Sequence, residues 1–407
     1  MEVFSDSSVS PAESTHFDHF DTEYPFSAST AYRPFRSAMG WCGSVCDDDF
    51  FSTILRAAPG DRWLKVDYLY WGISTPNHIP LVAASVPGTA PENTGVLGLP
   101  TTSILAPTED SFRGLSGFRI AKGWWLECAN IGLELSYMGL PRSEIRNEFR
   151  APSETHLARP VIDVITGQEI SMLVNHPNVL NGSVRVTSDA EFHIADFIAR
   201  TRALGDESAS VSRLFGFRYA RLEEGLRIDQ SSDYPVARGP IIAGTQVELY
   251  DQFRTRNRFV GAVMGFDATQ RFRRWTLDFQ GMISVGNTQS YVDIQGQTVT
   301  SVPNAGNALF RGGLLAQETN IGKVVRDRFS VIPEFTVFAK VPFRCVWEAS
   351  VGYHFLFWSG AAQPGNQIDR AVSQFPPEPT SGRSPQALFD TSGAIIQGLQ
   401  LGLERRF

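Results

Sequence analysis

The side chains of this 407-residue sequence that are spaced for chemistry are few and scattered. Cys42 and Cys46 sit in "CGSVCDDD", where a local disulfide, a metal site or neither would fit. That spacing lacks the second Cys/His pair of the zinc patterns, so no metal is expected. The run "HFDHFD" gathers His16, Asp18, His19 and Asp21. A metal could use them, but a solvated polar stretch is the plainer reading. His193 and Asp196 in "EFHIADF" could orient each other on a loop or short helix, yet no partnered nucleophile can be named. There is no G-x-S-x-G elbow, H-E-x-x-H pair or Walker loop. Four cysteines, with Cys128 and Cys345 the other two, are too few for a disulfide scaffold. The expectation is a chain with no catalytic residues and no cofactor. A barrel-borne hydrolase stays as an alternative.

Charge says little more about a ligand. Residues 1–50 hold nine Asp/Glu and two Arg, which equals the whole net charge of −7. The remainder is balanced, and no basic patch points to nucleic acid. Only Lys65, Lys122, Lys323 and Lys340 are lysines among 36 basic residues. Arginine's rigid fork suits charge ladders along a wet wall; a GC-rich genome would give the same bias. Residues 1–60 read as an acidic, Ser-rich, disordered leader, and 61–407 as the folded part. The first twenty residues lack the apolar core of a secretory signal. Taken literally this argues against export; a start codon assigned too far downstream is the competing explanation. No apolar run reaches the ~18 residues of a transmembrane helix.

What could position these side chains is β structure. "RWLKVDYLYWG" sets Leu64, Val66, Tyr68 and Tyr70 against Lys65 and Asp67, the period of two of a strand. "LSGFRIAKGWWLECANIGLELSYMG" reads as two strands around a turn near 127–130, with Leu133, Leu135 and Tyr137 opposite Glu134. "RWTLDFQGMISVG" opposes Leu277 to Asp278. "RFSVIPEFTVFAKV" puts Glu334 and Lys340 opposite Phe335 and Val337, with a bulge expected at Pro333. "RCVWEASVGYHFLFW" opposes Val351, Tyr353 and Phe355 to Glu348 and His354. The closing "IIQGLQLGLERRF" alternates to its last residue, Phe407.

These runs span about 10–14 residues, where soluble strands average about 5–6 and a tilted bilayer crossing needs about 9–11. Length therefore favours a closed antiparallel transmembrane β-barrel over a soluble sandwich. About 12–14 strands are expected, with segments 150–210 and 288–325 ambiguous. Short connections such as 341–343 alternate with long ones at 73–111, 141–182 and 359–393. In such a barrel Lys65, Asp67, Glu134, Asp278, Glu334, Lys340, Glu348 and His354 would line the pore. For each, bracing the wall by cross-strand pairing is the plainer alternative. Tyr68, Tyr70, Leu133, Leu135, Tyr137, Leu277, Val351, Tyr353, Phe355 and Phe407 would meet lipid or form the aromatic girdle, with Trp124, Trp125 and Trp358 near the ends of runs. A narrow aqueous path or a loop-plugged lumen is expected, with mixed signs giving weak charge selectivity.

Several stretches resemble one family. "LARPVIDVITGQE", "LFGFRYARLEEGLRI", "DQFRTRNRFVGAVMGF", "GGLLAQETNIGKVVRDRFSVIPE" and "VGYHFLFWSGAAQPGNQIDRAV", with "WLKVDYLYWG" at the front and "QGLQLGLERRF" at the end, are similar to the planctomycete outer-membrane barrels called beta-barrel porin family seven. The likeness runs from about Trp63 to Phe407. It implies a single barrel in the outer membrane, in contact with its lipid, passing small solutes passively. It brings no catalytic residues. It further implies that the terminal Phe407 serves as the address read by the barrel-insertion machinery. A non-conducting structural or surface-interaction barrel is the other reading; oligomeric state is left open.

Overall fold

The computed structural model describes residues 62–74, 79–106, 114–126, 130–150, 156–206, 208–239, 241–344, 346–376 and 382–407. The acidic leader with its Cys and His candidates, and Cys128 and Cys345, lie outside them. In chain order the strands are β1 (Arg62–Ser74), β2 (Val82–Ser85), β3 (Thr102–Ala106), β4 (Leu115–Leu126), β5 (Ile131–Arg150), β6 (His156–Asp163), β7 (Glu169–Asn175) and β8 (Asn181–Gly205). They continue as β9 (Ala209–Tyr234), β10 (Thr245–Arg271), β11 (Thr276–Val302), β12 (Gly306–Arg311), β13 (Gly322–Arg344), β14 (Trp347–Ala362), β15 (Ala371–Val372) and β16 (Thr391–Arg406).

Ten of these close on themselves. The antiparallel order β10-β9-β8-β5-β4-β1-β16-β14-β13-β11 returns to its start because β11 also pairs β10. The last strand zips against the first, from Ser74↔Ile395 to Trp63↔Arg406, and the Phe407 N–H donates to the Arg62 carbonyl. The ring thereby has no free edge. Ten strands replace the expected 12–14. Strands β8 to β11 run 25–27 residues each, so stretches that read as two crossings are one. The short strands of 150–180 join a separate sheet.

Alternation decides what faces where. On β1, Val66, Tyr68 and Tyr70 are about half exposed while Lys65, Asp67, Leu69 and Trp71 are buried. The same outward parity carries Phe118 and Ile120, Leu135 and Tyr137, Phe215 and Phe217, Val260 and Met264, Phe335 and Val337, Val351 and Tyr353, and Leu399, Leu401 and Leu403. An apolar band that large and continuous around a protein has no place in water; a transmembrane barrel turns such a band toward lipid.

The two rims differ. Ring strands at one end follow one another within a few residues, Gly205 to Ala209, Arg271 to Thr276 and Arg344 to Trp347, with Asn130 at φ 51 before β5. At the other end the connections are long. Three of them contribute strands to a second, five-stranded sheet, β15-β6-β2-β3 with β7 on β6. The expected bulge at Pro333 is absent: register with β11 runs unbroken across Ile283↔Pro333, and pairing with β14 begins at Glu334. Lacking an N–H, the proline sits where that second ladder has ended. The irregularity falls instead between Pro342 and Arg344.

Candidate functional site: the barrel lumen

All eight polar residues singled out in the sequence lie on the inward parity. Lys65, Asp67, Glu134, Glu334 and His354 are buried, and Asp278, Lys340 and Glu348 are largely covered. Of the outward ten, Tyr68, Tyr70, Leu135, Tyr137, Val351, Tyr353 and Phe407 are exposed, while Leu133, Leu277 and Phe355 are half-buried on the same face. Trp124 shares that face. Trp125 and Trp358 do not: both take the inward parity, and Trp358 is fully buried. His193 and Asp196 lie mid-strand on β8, not on a loop or helix, and point to opposite faces. They cannot orient each other. His193 Nε2 donates to the Glu191 carboxylate at 2.6 Å and Nδ1 pairs with the Tyr137 hydroxyl at 2.7 Å, whereas Asp196 enters the lumen.

From the short-turn rim upward the lumen is layered. At the mouth the Trp63 indole N–H donates to Glu134 (3.2 Å). Arg119 and Arg200 also reach that carboxylate (3.4 and 3.5 Å), and Arg200 continues to Asp267 (3.5 Å). Opposite, the Lys340 ammonium contacts Asp278 and stands 3.8 Å from Glu348 and 3.9 Å from Glu404. Glycine makes room for this packing. A Cβ on Gly402 would lie 2.0 Å from an Asp67 carboxylate oxygen, and one on Gly123 would strike the Trp63 ring.

One level higher the ions form chords across the lumen. The Arg218 guanidinium donates two parallel bonds to Asp196 (2.8 and 2.7 Å) and reaches Glu334 on the far wall at 2.5 Å. Glu334 lies 3.3 Å from His354, whose other ring nitrogen meets Thr336 at 3.1 Å. The Lys65 ammonium pairs with Asp67 (3.4 Å) and sits over the Phe338 ring. Opposite charges in bidentate geometry offset the cost of burial.

Above the ions a large apolar cluster spans the lumen. Leu69, Trp71, Met138, Phe192, Ile194, Leu222, Phe259, Ile332, Leu356 and Trp358 form one cluster, and all are at most 5 % exposed. Trp358 donates to Thr288 (3.1 Å) and meets Phe259 edge-on. Over this seal sits the five-stranded sheet. Leu157, Val161 and Val174 pack there against Val184, Ile228, Phe253 and Ile294 of the wall. Its anchor is a buried pair, Arg159 to Asp251 at 2.6 Å; the second Asp251 oxygen accepts the N–H groups of Leu315 and Ala316, each at 2.8 Å. Asn257 likewise bonds both the N–H and the carbonyl of Ala362.

Arg119, Arg200, Arg218, Asp267 and Glu404 were not picked out in the sequence, although alternation alone puts them on the inward face. Arg159, Asp251 and the Trp71–Trp358 seal carry no local signal.

The sequence itself ties this ring to known proteins. Residues 63–407 match the family described as "Putative beta barrel porin-7 (BBP7)". The chain belongs to that family. Solved structures similar to this porin-7 barrel include the outer membrane protease OmpT from Escherichia coli, at 11 % identity and TM-score 0.41, over 86 % of this chain and 98 % of that one. A Pseudomonas aeruginosa FadL homologue matches at 7 % identity and TM-score 0.20, over 84 % and 89 %. A bacterial polysaccharide outer membrane secretin matches at 6 % and 0.17, over 86 % and 99 %. No curated protein matches the porin-7 chain.

Proposed function

We propose that this porin-7 barrel is an outer-membrane porin for small hydrophilic solutes whose resting state is closed by its own interior. The observation that carries the reading is the axial order of the lumen: a charged half with both signs, then an apolar seal, then a folded sheet. A ten-stranded ring is near the size at which side chains fill the interior, so conduction requires the seal and sheet to move. Lys65, Asp67, Glu134, Asp278, Glu334, Lys340, Glu348 and His354 then line the path, and their mixed signs favour weak charge preference. The outward ten residues meet lipid or its interface. The β16 end with Phe407 engages the insertion machinery, and residues 61–407 act as one unit without catalysis.

The test is conductance in planar bilayers. The native barrel should stay mostly closed, while Trp71→Ala with Trp358→Ala, combined with Asp251→Ala to release the sheet, should give steady, weakly selective current. If that variant folds and stays silent, the porin reading fails. A second reading, a surface-interaction barrel, is favoured by one feature: three long connections build an ordered sheet at the long-loop end. Silence of the folded variant would leave that reading standing.

A further inference from the structure

Among the described residues, two outward cations at the short-turn rim lack the carboxylate partners that several outward arginines hold. At the long-loop end Arg142, Arg185, Arg221 and Arg227 each hold a carboxylate. At the short-turn end Lys122 and Arg405 hold aromatic rings instead. The Lys122 ammonium lies 5.4 Å from the Trp124 ring, and the Arg405 guanidinium lies 5.6 Å from Trp347 and 4.5 Å from Phe407. Among the described residues neither has an ion-pair partner. Register places them in one row on the outer face: Lys122 of β4, Leu64 of β1, Arg405 of β16 and Trp347 of β14. Two strand spacings separate the cations, about 10 Å. Above Leu64 the same outer face continues as Val66, flanked by Ile120 and Leu403, all about half exposed.

We infer that Lys122 and Arg405 bracket the headgroup phosphate of an anionic glycerophospholipid, with Leu64 as the floor and Trp124 and Trp347 as the walls. The acyl chains run up the groove of Val66, Ile120 and Leu403. Two unpaired cations at the edge of an apolar band attract net negative headgroups, and the adjoining rings suit the boundary between apolar and wet surroundings. Short turns mark the periplasmic rim of such barrels, so the site takes its lipid from that leaflet. The inference rests on the membrane-barrel reading but is independent of conduction.

The test uses the full chain refolded in detergent, with native mass spectrometry after addition of dioleoylphosphatidylglycerol, dioleoylphosphatidylcholine or lipid A. The native protein should retain phosphatidylglycerol over phosphatidylcholine. Lys122→Gln with Arg405→Gln should weaken phosphatidylglycerol binding about thirty-fold at an unchanged melting temperature, and Arg405→Lys should keep most of it. Equal retention by native and double variant overturns the site, as does equal retention of the two phospholipids by the native protein. Preferential lipid A binding lost in the double variant overturns the choice of leaflet. A chain that stays folded and monodisperse without detergent would sink the membrane reading itself, a separate outcome.

Discussion

Asp251→Ala tests the link between the loop sheet and the wall. Asp251 is fully buried, pairs with a guanidinium that is 1 % exposed, and accepts two backbone N–H groups. Removing one member of a buried pair strands the other charge, at about 3–5 kcal/mol. Orphaning the N–H groups of Leu315 and Ala316 adds about 1–3 kcal/mol each if water cannot reach them. These terms overlap, so the pair alone is the safer figure. It raises the population of sheet-released conformers by about two to three and a half powers of ten. The ring itself loses nothing, because its ladders do not use this carboxylate. Expected results are faster proteolysis within 156–180 and 312–321 and more frequent channel openings, with a full-length barrel still resisting protease. Asp251→Asn should fall between, since its amide oxygen can still accept the two N–H groups. Arg159→Met should be milder than the alanine variant, since Asp251 retains both donors. An Asp251→Ala barrel with unchanged loop cleavage and unchanged current would refute the idea that this pair latches the sheet.

Further outcomes follow from face and turn. Val351 stands four residues above Trp347 on the outer face of β14; at about 3.4 Å per residue and a tilt near 40° it lies about 10 Å into a band about 25 Å tall. Val351→Arg should cost about 2–4 kcal/mol in refolding titrations, while inward Glu348→Gln should be tolerated and shift ion preference of any open state; equal tolerance at both would contradict the face assignment. In the β8–β9 turn, the N–H of Ala209 and then Ser208 hold the Asp206 carboxyl below its ordinary range. A depressed carboxyl stabilises fully above its unfolded value and loses that contribution as pH falls through the folded one. Amide exchange at Ser208 and Ala209 should therefore gain an extra, acid-induced rise as pH falls below the ordinary aspartate value of about 4; Asp206→Ala should lack it, and identical profiles would rule out the turn's titration.

Alternation and run length in the sequence together pointed to a barrel, and alternation alone sorted most crossing residues onto its two faces. Lys65 and Asp67 against Tyr68 and Tyr70 needed no tertiary information, because a strand's side chains change sides at every residue. The same rule would have found Arg218 among Phe215, Phe217 and Tyr219. Strand number was not legible, since a period of two does not say where a 27-residue strand ends its crossing. His193 and Asp196 misled for the opposite reason: their spacing looked local and helical, but three residues apart on a strand means opposite faces. Only the closed ring decided that the lumen is full. Arg218 meets Glu334 more than a hundred positions away, and Arg159 meets Asp251 across the top of the wall. Such chords depend on ring order and register, which emerge when ten strands pair at once and leave no trace in any one of them.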